Sequence, residues 1–353
     1  MSAETFTTRR KVGGSVAVAV VLAALLEFYT GVPGQIVRNA PEIFTGGFVE
    51  RSITRATPIA LAAIGGLYAE KSGVFNIGIE GFMIFGAVGT AVMASILGGG
   101  NPGQGQLWLA LGGTVLFVVF LGIPFSVLMI RFKANQIVTG LAVWFIGLGF
   151  APFILEVTQG ERSLSLGGLN DLTIPFLADI PSIGPVFFDA SPMVFITVIL
   201  TILAWVVLYH TRYGYWIQAA GENPEALDTA GINVTRVRYT AVLFSVAMAG
   251  LGGGALFLQS GTFIGTGETS VGGRGWIAIV AYLFGNYNPV GAGLSALLFG
   301  GLDMLQIQFQ TANVDVPSRL MGVLPFVGVV IVLTVYGSTR VPSSVGETYE
   351  SED

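Results

Sequence analysis

Apolar runs, broken at short intervals by polar or charged residues, recur from Val12 to Tyr336. They fall near 12–28, 53–69, 80–97, 107–130, 136–155, 191–209, 239–258, 275–285, 290–309 and 320–336. Most have the roughly 17–25 residues that a helix needs to cross the hydrocarbon core of a bilayer. With 53% of its residues hydrophobic and only 10% charged, the chain departs far from soluble domains, where about 25% charge is ordinary. A single core could not bury that much apolar surface, whereas lipid solvates it. The expected fold is an all-α membrane protein of about ten transmembrane helices. It forms one transmembrane domain over residues 1–353, with a short N-terminus 1–11 and an acidic tail 338–353.

The 50 glycines exceed the usual share of about 7% roughly twofold. Glycine is costly in soluble helices, but in lipid it lets helix backbones approach closely. The composition therefore predicts a tightly packed bundle containing broken helices. Cys is absent and His210 is the one histidine, which excludes disulfides, thiolate metal sites and cysteine nucleophiles. One histidine cannot build a zinc site or a histidine-centred triad. The net charge of −5 is modest, and no basic run suggests nucleic acid.

Arginine and lysine in short loops set the orientation. Arg9, Arg10, Lys11, Lys71, Arg131, Lys133, Arg212, Arg236, Arg238 and Arg340 gather on one side, and the other side holds Arg38, Arg51, Arg55, Arg162, Arg274 and Arg319. Both termini are expected to be cytoplasmic, in the plasma membrane. The first apolar run reads as a retained span, since no small-residue cleavage site followed by a polar domain comes after it. The longest external loop, 156–190, is acidic and carries Pro181, Gly184 and Pro185. It reads as turns and a short ordered excursion.

Three stretches can carry function. The first is GLYAEKSGVFNIGIEGFMIFGA, residues 66–87. Polar groups within a span must face protein, water or headgroups, and Gly73, Gly78 and Gly81 permit an unwound segment near 72–80 where it lines a cavity. Two readings stay open: Asn76 and Glu80 face a solute path, or Glu80 caps an ordinary helix start. Glu70 and Lys71 read as solvated in a cytoplasmic turn. Ser72-Gly73-Val74-Phe75 precedes Glu80 at the offset by which Ser260-Gly261-Thr262-Phe263 precedes Glu268. That echo fits an inverted repeat with a site between the halves, and chance is its rival.

The second stretch is Gly221-Glu222-Asn223-Pro224-Glu225-Ala226, running on to Ala230 and Gly231. Asn223-Pro224 is a helix start and Gly231 a helix stop. A helix this short needs something to pack on, either its own chain or a cytoplasmic partner. The third is Glu268 to Trp276. Here Arg274 has three readings: it pairs with Glu268, gates the external mouth, or snorkels to the headgroups. Trp144, Phe145 and Trp276 suit stacking on a sugar or base ring, although interfacial belts use the same residues.

No lysine stands in a G-x-x-x-x-G-K-[ST] phosphate loop, so the chain is not expected to be an enzyme or to carry an ATPase site. No chain of buried acids and histidines suggests a proton relay, and no cofactor is implied.

The stretch GLYAEKSGVFNIGIEGFMIFGA resembles a signature of permease subunits of ABC importers for nucleosides and simple sugars. These are related to ribose and branched-chain amino acid permeases. GENPEALDTAGI resembles the cytoplasmic coupling segment of such permeases, and GWIAIVAYLFGNYNPVGAG a later pair of spans. The resemblance runs over most of residues 50–335. It implies a permease working with a second, related permease, two cytoplasmic ATP-binding subunits docked on Gly221–Gly231, and an extracytoplasmic solute-binding protein. It fixes neither the solute nor the path residues, for which Asn76, Glu80, Trp144, Glu268, Arg274 and Trp276 are the candidates. The rival readings are an ion-coupled secondary transporter and an ABC permease for branched-chain amino acids.

Overall fold

The computed structural model describes residues 46–311 and 341–349, apart from positions 179, 181–183, 267 and 348. The apolar runs at 12–28 and 320–336 lie outside the described residues. The remaining eight coincide with helices. In chain order these are α1 (Gly46–Lys71), α2 (Ile79–Gly98), α3 (Gln104–Ile130), α4 (Gln136–Gln159), α7 (Pro192–His210), α10 (Val234–Ser260), α11 (Arg274–Phe284) and α12 (Pro289–Thr311). Between α4 and α7 lie β1 (Ser163–Ser165), β2 (Leu172–Thr173), α5 (Pro175–Ala178), α6 (Gly184–Phe187) and β3 (Asp189–Ala190). α8 (Arg212–Glu222) and α9 (Pro224–Thr229) precede α10; β4 (Thr262–Thr266) and β5 (Glu268–Thr269) follow it.

Among the described residues six helices are long and apolar enough to cross a membrane: α2, α3, α4, α7, α10 and α12. The expected count of about ten is not confirmed: of the eight described runs, those of α1 and α11 are not among the six. α11 has only 11 residues, about 16 Å at 1.5 Å per residue. α1 has 26 residues but carries Glu50, Arg51, Arg55, Glu70 and Lys71. It stays in the bundle because protein surrounds it, with Leu61, Ala62, Ala63, Ile64 and Leu67 having no exposed surface.

α1 and α10 form the centre and pack on each other; α2 and α3 pack on α10, while α11 and α12 pack on α1. Small residues allow this, as the composition led us to expect. A Cβ on Gly253 of α10 would run into the carbonyl of Met83 on α2, so the two backbones are in direct contact. The outer faces of α3, α4 and α7 expose Leu116, Phe120, Phe145, Phe153, Ile199 and Ile202. A membrane protein presents such residues to lipid.

Strand pairing holds parts of the loop 156–190. β1 lies antiparallel to β4, with Leu164 opposite Phe263, and β2 pairs with β3. At the opposite end of the bundle, residues 341–349 fold back against α8 and α9.

Candidate functional site

The chain leaves α1 at Lys71, takes a non-helical course over 72–78, and starts α2 at Ile79. Gly73 adopts φ +90°, a left-handed conformation that glycine enters without steric cost. The segment is held by side chains of other helices: Gln136 Oε1 accepts from the Phe75 N–H at 2.6 Å, and Asn76 Nδ2 donates to Ser245 Oγ at 2.9 Å. Asn76 is thus turned into the protein, only 1% exposed.

Glu80 sits in the first turn of α2. Its Oε1 accepts from the N–H of Gly273 at 2.9 Å, and its Oε2 from that of Gly275 at 2.6 Å. The starts of α2 and α11 therefore meet at one buried carboxylate. Helix N-termini leave backbone N–H groups without intrahelical partners and carry partial positive charge; Glu80 answers both for α11. Glu80 stands at a helix start, as the second reading has it, and its carboxylate also pins the start of α11.

Beside this junction Arg274 donates from Nη2 to Asp303 Oδ2 at 2.9 Å, and Arg55 Nη1 meets the same oxygen at 2.9 Å. Arg274 Nη1 also donates to the carbonyls of Val271 and Ser270. It is therefore held by protein, and snorkelling does not describe it. Trp276, two residues on, meets Trp144 of α4 edge-to-face with ring centroids 5.5 Å apart. Both indoles are partly exposed. Glu268 lies in β5, and Phe145 stacks beside Trp144 at 5.0 Å.

So Glu80, Trp144, Arg274 and Trp276 come together, while Asn76 is turned towards Ser245. Arg55 and Asp303 join the cluster without having been singled out in the sequence. The signal was a single acid in the middle of the run 290–309, which must find a partner away from lipid. Glu70 corrects the sequence reading as well. It is 4% exposed and accepts from the Tyr287 hydroxyl at 2.8 Å, so it is buried and not solvated.

A second candidate region lies at the other end. Asn223 caps α9, its Oδ1 accepting from Ala226 N–H at 3.0 Å, with Pro224 in the first turn. Leu227 is buried as the anchor, and Gly231 ends the turn at φ +79°. Gly221 is packed so closely that a Cβ would meet the carbonyl of Lys71. Glu222, Asn223, Glu225, Ala226, Thr229, Ala230 and Gly231 remain exposed. A groove of about 500 Å³ runs between Glu222–Glu225, Arg238 and the returning Ser344, Glu347 and Tyr349. Replacing Asn223 with Ala is expected to cost α9 about 1 kcal/mol. Faster hydrogen exchange at the amides of 226–230 would register it; unchanged exchange would mean that packing alone holds the helix.

Residues 48–333 match the family described as branched-chain amino acid transport system, permease component. The chain is 33% identical over 312 residues to the nucleoside ABC transporter permease protein NupC of Lactococcus lactis subsp. cremoris, covering 85% of this chain and 96% of the relative. It is 33% identical over 307 residues to the guanosine ABC transporter permease protein NupQ of Bacillus subtilis, covering 85% and 95%. A glucose ABC transporter permease candidate of Haloferax volcanii, TsgC13, is 32% identical over 287 residues, covering 80% and 84%. No solved structure matches.

Proposed function

The chain belongs to the permease-component family of branched-chain amino acid transport systems, and from that premise we propose a specific role. It is the transmembrane permease subunit of an ABC-type importer that moves a simple sugar or a nucleoside, energised by separate ATPase subunits. About ten crossings, both termini cytoplasmic, complete this reading. The observation that carries it is the half-open cluster at the meeting point of α2 and α11. Arg55, Arg274 and Asp303 retain side-chain exposures of 36%, 17% and 22%. Ionised groups do not face hydrocarbon, so this face looks onto water or another protein.

A path between this permease and a second, related one satisfies that requirement. The partly exposed Trp144 and Trp276 offer an apolar shelf for a flat base or the C–H face of a sugar, with polar groups beside it for hydroxyls. A branched-chain amino acid fits less well, because its carboxylate would compete with Asp303 for Arg274. The names of the relatives, which include nucleoside, guanosine and glucose permeases, favour the same solute classes. α9 and its flanks, Gly221–Gly231, supply the docking element for the ATPase, and the β1–β4 end would receive the extracytoplasmic binding protein.

The inverted repeat suggested by the sequence also belongs to this reading. α1 is followed by Ser72-Gly73 beside the start of α10 (Arg238 donates to Ser72 O at 3.1 Å), and α10 ends at Ser260, followed by Gly261 beside the loop after β1, where Leu166 N–H donates to Gly261 O. Gly261 adopts φ +66° where Gly73 adopts +90°. Each long helix is then followed by a non-helical segment and by a helix start at the Glu80 junction. Discontinuous helices meeting within inverted halves are a common way of building a midplane binding site.

Uptake of labelled guanosine, glucose, ribose and xylose tests the function, in cells carrying the importer with and without its ATPase subunit. One of these solutes should enter only when the ATPase is present, and Trp276→Ala should cut that uptake by about 5–150-fold, the loss of one stacking contact of about 1–3 kcal/mol. Uptake that survives ATPase deletion and follows a proton or sodium gradient would establish a secondary transporter instead.

A further inference from the structure

Arg238, four residues into α10, is 5% exposed, and its guanidinium donates to three separate chain segments. Nε donates to the carbonyl of Ser72 at 3.1 Å, Nη2 to that of Ala220 at 3.3 Å and Nη1 to that of Glu347 at 3.2 Å. These are the first residue after α1, the end of α8 leading into the proposed docking element, and the C-terminal segment. The same three segments also touch one another. Ser344 N–H donates to Gly221 O at 2.9 Å and Gly346 N–H to Gly73 O at 3.2 Å. The Tyr349 hydroxyl bonds Asp228 Oδ2 of α9 at 2.6 Å, and its ring lies 5.8 Å from the Arg238 guanidinium.

From Ser72 the chain runs through Phe75 and Asn76, each tied to another helix, to Glu80 and the junction. Hydrogen bonds tether this line at Ser72, Phe75, Asn76 and Glu80. Through Arg238 and residues 344–346, the segment 221–231 is thus linked to Ser72–Gly73, which lead into α2. A planar guanidinium spreads fixed donors towards three carbonyls in different directions, whereas the three donors of a lysine ammonium sit on one nitrogen at the end of a flexible stem.

We propose that Arg238, braced by the C-terminal segment 341–349, is the joint that passes movement of the docking element 221–231 to segment 72–78 and so to the solute path. This rests on the importer reading, in which an ATPase subunit moves that element. Arg238 is a positioning residue: it acts through Ser72 and does not touch solute.

The test uses the complete importer in proteoliposomes, with binding protein loaded with guanosine or with glucose offered in parallel. Three permeases are compared with the natural chain: Arg238→Gln, Arg238→Lys, and a chain ending after Arg340. All three should co-purify with the ATPase subunits and hydrolyse ATP at the unstimulated rate. The stimulation of hydrolysis by loaded binding protein, and uptake with it, should fall by about 5–150-fold, the usual range for coupled sites, with Arg238→Lys the mildest. A merely structural role would lower assembly and both hydrolysis rates together, and that pattern overturns the proposal, as does full stimulation in Arg238→Gln. Should Arg238→Gln fail to reach the membrane, the shortened chain decides, because it leaves the buried arginine in place: lost stimulation supports the joint and natural stimulation refutes it. If the natural chain binds no ATPase subunit, the importer reading falls and the joint with it, an outcome distinct from assembly with intact stimulation.

Discussion

Glu80→Ala is expected to abolish uptake and also to lower the thermal stability of the purified permease. The carboxylate accepts from Gly273 and Gly275, and hydrogen bonds to a charged group contribute about 1.5–3 kcal/mol each. Alanine removes both acceptors and leaves the buried Gly275 N–H and the part-buried Gly273 N–H at the start of α11 without partners. Together the losses come to about 3–6 kcal/mol, a large fraction of the stability of an ordinary domain. Glu80→Gln keeps one carbonyl oxygen but aims an NH2 group at the other N–H, so an intermediate loss is expected. Melting of the detergent-solubilised protein and its size-exclusion profile read the effect. A pin and a solute ligand give different results here. If Glu80 served the solute alone, Glu80→Ala would lose uptake and melt like the natural protein.

Gly275→Ala should be at least as damaging, for a steric reason. A Cβ at this position would stand 2.6 Å from both the Cα and the N of Glu80. These are backbone atoms at a helix start, so no side-chain rotation relieves the clash and the two helix starts must separate. Overpacking of this kind costs about 1–3 kcal/mol and at times more, and separation also breaks the Glu80 hydrogen bonds. The expected result is aggregated or degraded protein in place of a monodisperse peak. Gly149→Ala in α4 is the control: nothing lies within 4 Å of its added Cβ, and alanine there should be neutral or slightly stabilising. Equal behaviour of the two variants would count against the close crossing of α2 and α11.

Much of the fold was legible because its signals are local. Eight of the predicted apolar runs coincide with helices, since run length and polar interruption are read a few residues at a time. The short helix at Pro224–Thr229 was legible for the same reason, its capping asparagine and terminal glycine lying within a few positions of it. Glu70 was misread because a charge after an apolar run resembles a loop residue. Burying it required Tyr287, 217 positions away. Asp303 was passed over because no nearby residue marks its partners.

The chain began as a series of apolar runs, and by itself the sequence determined that these make a membrane-spanning helical protein, where its helices break, and which family it resembles. Lipid crossing depends on segment hydropathy and caps on neighbouring residues, so both are written in consecutive positions. Only the tertiary structure decided that Glu80 pins the start of α11, 195 positions on, that Asp303 holds both Arg55 and Arg274, and that Arg238 ties three segments together. A buried charge must be paired wherever the packed helices bring a partner within reach. That choice is made by which backbones can touch, at glycines such as Gly253 and Gly275, and not by distance along the chain.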